Sequence, residues 1–189
     1  MSTLKVNNIT DLGDDAVVTS GVIPASALPA GSIISVKNIT KTDTFSASVA
    51  EGGNVAVDGL SITHALSNPA NKLLITAFFG QAANSNGRSS TGIAVNDGTA
   101  LISIGDADGV RTRTTAGGLI QGTTRTDGAT MPHITIMHEP GDTSSRTYTV
   151  HAVNITGAQT IYVNRTQSNN DTPNEGRGAS GLTIMEVAG

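Results

Sequence analysis

The chain has no cysteine and no tryptophan, and Phe45, Phe78, Phe79, Tyr148 and Tyr162 are its full set of aromatic rings. Without cysteine there is no disulfide framework, thiolate metal ligand or thiol nucleophile, so cohesion has to come from packing and from contacts between subunits. With so few rings the core must be assembled from Val, Ile, Leu and Ala. Charge is thin too: 11 Lys and Arg against 15 Asp and Glu leave a formal net charge of −4. The basic residues are dispersed, which gives no electrostatic footprint for nucleic acid. No stretch approaches the roughly 20 apolar residues of a membrane span. Residues 1–30 lack the basic start and continuous apolar run of a signal peptide. The expectation is synthesis in the cytoplasm, with neither nucleic acid nor membrane as partner.

What the chain does have is Ser and Thr, together roughly a quarter of its residues, and 22 glycines. Thr suits a pleated sheet, while Gly and Asn accept left-handed turns, so the composition predicts short strands joined by tight turns. At 189 residues the length suits one domain plus an extension. Composition breaks near Pro24–Gly31. Before the break, two short apolar runs, Leu4–Ile9 and Ala16–Val18, flank a polar turn containing Asp11, Asp14 and Asp15. Neither run can bury itself alone. Residues 1–30 therefore read as an arm that pairs with another chain through Leu4, Val6, Ile9, Val17 and Val18, the plainer alternative being an edge strand added to the chain's own sheet.

From Gly31 onward strand-like runs recur with turn signals between them. The candidates are Ser32–Ile39, Thr44–Ala50, Leu60–Leu66, Lys72–Phe79, Ser90–Val95, Ala100–Ile104, Leu119–Gln121, His133–His138, Thr147–Asn154, Ile161–Asn164 and Leu182–Val187. Asn96-Asp97-Gly98 and Asp127-Gly128 are tight-turn signals. No segment carries a helical apolar stripe of ten or more residues, and nothing repeats at a fixed period. Two packed sheets with about eight main strands are expected over residues 31–189, with Gln167–Ser180 as an exposed loop. In the closing strand, Leu182 and Ile184 are expected inside and Thr183 and Glu186 near solvent.

Chemistry has few anchors. His133 and His138 stand five apart on one strand, which puts them on opposite faces, and His64 and His151 have no acid nearby in sequence. Asp106-Ala107-Asp108-Gly109 opens like a calcium loop, but Val110-Arg111-Thr112-Arg113 supplies no carboxylate at the required spacing. There is neither a Gly-x-Ser-x-Gly elbow nor a phosphate-binding Gly-rich loop. Arg111, Arg113 and Arg125 could meet acidic groups on a neighbouring chain or a glycan, although solvated loop charges are the plainer reading of each. No catalytic residue, metal or cofactor is implied.

The ending SGLTIMEVAG (Ser180–Gly189) resembles the closing strand of small jelly-roll domains in bacteriophage virion proteins, a group that includes fibre heads and capsid decoration proteins. The strings RTYTVHAVN, TIYVN, Asn96-Asp97-Gly98-Thr99 and NKLLI fall in the order those domains show, and MSTLKVNN at Met1–Asn8 resembles their openings. The resemblance implies an all-β jelly-roll sandwich with an N-terminal arm, assembled as a homotrimer on the outer surface of a virion. Its partners would be the major capsid protein or another virion protein. Capsid decoration or cement is preferred, because only about thirty residues precede the domain and a fibre needs a shaft. A short fibre binding a host surface glycan is the alternative, and a carbohydrate-active enzyme the different-class option. Leu73, Ile75, Phe79, Ile134 and Ile136 are the expected oligomer interface, as apolar sheet faces hidden around an axis.

Overall fold

The computed structural model describes residues 8–10, 16–19, 28–85, 91–117, 126–173 and 175–189, with side chains from residue 28 onward. Among them there is no helix and there are thirteen strands. A hairpin of β1 (Asn8–Thr10) and β2 (Ala16–Thr19) forms a two-stranded sheet of its own. Eight strands make two four-stranded antiparallel sheets. One runs β10 (His133–His138), β6 (Lys72–Phe78), β13 (Ser180–Val187), β3 (Ile33–Lys41); the other runs β5 (Asn54–His64), β11 (Arg146–Asn154), β8 (Thr91–Asn96), β9 (Leu101–Ile102). Numbered one to eight along the chain, these strands stand in the orders 6-3-8-1 and 2-7-4-5. That interleaving, in which the first and last strands pair and successive strands alternate between sheets apart from the fourth and fifth, which form a hairpin, is jelly-roll connectivity. A smaller sheet, β4 (Phe45–Val49), β12 (Gln159–Val163), β7 (Ala82–Asn84), covers one end.

The core follows from period-two alternation. Leu73, Ile75 and Ala77 on β6, Ile134 and Ile136 on β10, and Leu182 and Ile184 on β13 face Val57, Leu60 and Ile62 on β5 and Tyr148, Val150 and Ala152 on β11. Strand β5 breaks its alternation once. Its register against β11 jumps from Ser61 to Ala56 while β11 advances only from Thr149 to His151. Gly59, at φ +81°, takes the kink, a conformation open to glycine without steric cost. Strand β8 is buried on both faces because the 114–116 segment lies across it, with Ile93 N donating to Ala116 O at 2.8 Å.

Several sequence expectations change in detail. The third run begins at Asn54 and ends at His64, since the polar positions of its first half face solvent without breaking the strand. Strand β7 was not anticipated: three residues, two of them alanine, carry almost no β preference, and pairing with β12 makes the strand. Leu119–Gln121 lies outside the described residues. The Asn96-Asp97-Gly98 turn joins β8 to β9, with Gly98 at φ +96° and its N–H donating to Asn96 Oδ1 at 2.7 Å.

Candidate functional site

The expected interface residues are core residues. Leu73, Ile75, Phe79, Ile134 and Ile136 are all less than 10% exposed, covered by the opposing sheet of the same chain. The alternation was read correctly, but the second sheet of one sandwich already buries the more apolar face, so that face is not free to meet a partner. Of the expected arm contacts, Leu4 and Val6 lie outside the described residues. Ile9 is in β1, and Val17 and Val18 are in β2, with Ile9 opposite Val18; their side chains lie outside the description.

Polar side chains gather at one end of the sandwich. Glu186, expected near solvent, is 2% exposed, because alternation from Leu182 through Ile184 carries it inward. Its Oε1 accepts hydrogen bonds from Ser67 N, Ser67 Oγ and Asn71 Nδ2, each at 2.7 Å, and its Oε2 lies 3.1 Å from His64 Nε2. Burial pushes this carboxyl up, but the bonds from Ser67, Asn71 and His64 outweigh that and hold it below the ordinary glutamate range. Ser67 donates to the carboxylate rather than to the imidazole, so the trio forms no nucleophile–base pair. The acid near His64 that sequence did not offer comes from 122 residues away.

Across β11 and β5, Arg146 stands opposite His64. Its guanidinium reaches Asp142 at 2.7 Å and Asp97 at 3.3 Å. Burial raises the Asp97 carboxyl, yet bonds from Thr99 and Ala100 together with Arg146 bring it to about 2. His138 packs edge-on to Tyr148 at 5.7 Å between centroids, and burial lowers its basicity. His133 is exposed on the opposite face, as its spacing implied. His151 pairs with Asn54 at 2.6 Å, and burial lowers it as well.

The remaining candidates are dispersed. Asp108 pairs with Arg111, and Arg113 donates to the Gly105 carbonyl. Arg125 and Asp11, Asp14 and Asp15 lie outside the described residues. A shallow cleft is lined by Glu51, Gly52, Val110, Arg111, Thr112 and Ile155, with the Val110 side chain fully exposed. Among the described residues no group of three or more His, Cys, Asp or Glu could hold a metal ion. The Gln167–Ser180 loop is organised by Glu175, which accepts from Thr166 Oγ1 at 2.6 Å, Ser168 Oγ at 2.8 Å and Asn170 N at 2.9 Å. Sequence reasoning missed Asn154 and Asn164, both 0% exposed. Asn154 ends β11 and Asn164 directly follows β12, and each stitches neighbouring backbone to its strand: Asn154 Nδ2 donates to Val49 O and Ala50 O. The signal was an Asn closing each of HAVN and TIYVN.

No protein-family model matches the chain and no curated protein matches it. Among solved structures, the chain is similar to one described as the infectious bursal disease virus Gx strain, at 18% identity and a TM-score of 0.38, covering 82% of this chain. The alignment spans 37% of that chain, just over a third of its length.

Proposed function

We propose that the protein is a non-enzymatic structural component of a bacteriophage virion, a trimeric capsid decoration or cement protein held to the particle by its N-terminal arm. The observation that carries this reading is the β1–β2 hairpin, a sheet hydrogen-bonded to no other described strand. An isolated two-stranded ribbon is marginal in water and needs a third strand or a covering surface. A neighbouring major capsid protein or another virion protein would supply one, through main-chain hydrogen bonds and repeated attachment points. The resemblance of SGLTIMEVAG and the strings before it to virion jelly rolls points the same way, and the polar end of the sandwich is assembled as a structural network rather than a reaction centre.

The test adds full-length protein and a 31–189 variant to particles lacking the protein, reading bound fraction alongside melting temperature. Attachment is expected to collapse while the melting temperature holds. Undiminished attachment by a stable arm-deleted protein overturns the anchoring role. A lower melting temperature, by contrast, identifies the arm as part of the chain's own sheet.

A further inference from the structure

We infer that copies of this chain meet through the outer face of the β10-β6-β13-β3 sheet, the face opposite the core. Strand register aligns Met137, Leu74, Met185 and Val36 in one row across all four strands. The next row is Thr135, Thr76, Thr183 and Asn38, and the one after it contains Phe78 beside Gly181. A side chain at Gly181 would come within 2.7 Å of the Phe78 ring, so the glycine leaves room for that ring to lie over the strand. Val36 and Ile33 are each 56% exposed, Met137 49% and Phe78 41%. Of the large apolar side chains exposed among the described residues, most are on this face or lead into it.

A second copy is the occupant that this surface fits. Four strands about 4.8 Å apart and seven residues long at about 3.4 Å each give a flat footprint of roughly 450 Å² before side-chain relief. That is more than half of the ~800 Å² per partner in a stable interface. The face carries little charge: Lys72 is paired with Glu139 at 2.7 Å, and Lys37, level with the buried Ile184, leaves from the other side of β3 toward the Thr63 carbonyl on β5. Two copies can therefore approach without like-charge repulsion, and depletion of charge is what interface centres require. On this face the most exposed apolar groups stand on the two outer strands, Ile33 and Val36 on β3 and Met137 on β10.

This surface assignment rests on the protein being an oligomer, and the experiment separates the two claims. Val36→Glu and Met137→Glu are compared with Ser61→Glu, on the exposed face of the other sheet, by sedimentation velocity over a concentration series. The first two are expected to move dissociation to at least about tenfold higher concentration, and the third to leave it unchanged. Because the chain has no cysteine, Val36→Cys and Ser61→Cys provide a check that introduces no charge. Maleimide labelling of Val36→Cys should slow several-fold at concentrations where the protein associates, and labelling of Ser61→Cys should not. An oligomer that persists in both Glu variants, or equal labelling at the two sites, overturns this surface alone. A wild-type protein that is monomeric throughout overturns the oligomer itself.

Discussion

Glu186 and His64 meet inside the sandwich, Oε2 to Nε2 at 3.1 Å, at 2% and 6% exposure, although 122 residues separate them in the chain. The contact joins the closing strand to the end of β5, and the same carboxylate holds Ser67 and Asn71 in the loop that leads into β6. One side chain thus ties both sheets together at the polar end.

Replacing Glu186 by Gln should cost about 2 kcal/mol at neutral pH, since a buried charged acceptor loses donors it had fully engaged. Urea denaturation at pH 7 reads the loss. The pH dependence has a fixed sign. The folded carboxyl lies below its ordinary 4.5, so its contribution is fully present above that value and is lost as pH falls through the folded pKa. The wild type should therefore lose stability below about pH 4.5 more steeply than Glu186→Gln. Parallel slopes in the two proteins would mean that the carboxylate contributes nothing.

The alternation that placed Leu182 and Ile184 inside already placed Glu186 inside; polarity argued otherwise, and the sheet period prevailed. His64 and Ser67, the groups that make its burial tolerable, are far away in sequence and become neighbours only through the jelly-roll crossing. The same holds for the interface. Leu73-Ile75 and Ile134-Ile136 are legible as apolar faces, but which face a partner meets depends on the second sheet, and no local pattern reports that. Strand positions were legible because period-two runs such as HITIMH and RTYTVHAV are local. Strand β7 was not, because Ala82–Asn84 owes its conformation to β12.

Asn164 should be a sensitive position. It lies at φ +61°, and its Nδ2 donates to Lys41 O at 2.9 Å and Asp43 O at 3.0 Å while its Oδ1 accepts from Ser180 Oγ at 2.6 Å. Asn164→Ala leaves those buried partners unmatched and adds left-handed strain, for about 3 kcal/mol of destabilisation. Asn164→Gly removes the same bonds without the strain and should be milder by about 1 kcal/mol. Equal losses in thermal unfolding would place the whole effect in the hydrogen bonds.

The Gln167–Ser180 loop should depend on Glu175. The Thr166 hydroxyl leads the groups that hold this carboxyl at about 2, and Ser168 and Asn170 add to it against the opposing effect of burial. Glu175→Gln should speed amide exchange at Asn170, whose N–H donates to that carboxylate, and leave exchange in β11 unchanged. Unaltered exchange at Asn170 would show that the loop is ordered by its other contacts.

The closing strand should be indispensable. It is hydrogen-bonded to β3 on one side and β6 on the other, so deleting Leu182–Gly189 splits a four-stranded sheet and strands β3 without a partner. It also removes Leu182 and Ile184, each essentially fully buried and each contributing roughly 1.5–3 kcal/mol, along with the Glu186 network. Against an ordinary domain stability of about 5–15 kcal/mol, that combined loss leaves no cooperative fold. The milder Ile184→Ala should retain the fold and lose about 2–5 kcal/mol, which shows that the strand contributes in proportion to what is removed. The deletion is checked by solubility and by circular dichroism through a thermal ramp. A truncated chain that stays soluble and unfolds in a single sharp transition would mean that β3 and β6 close the sheet without β13, and that the strand is an addition to the core rather than its centre.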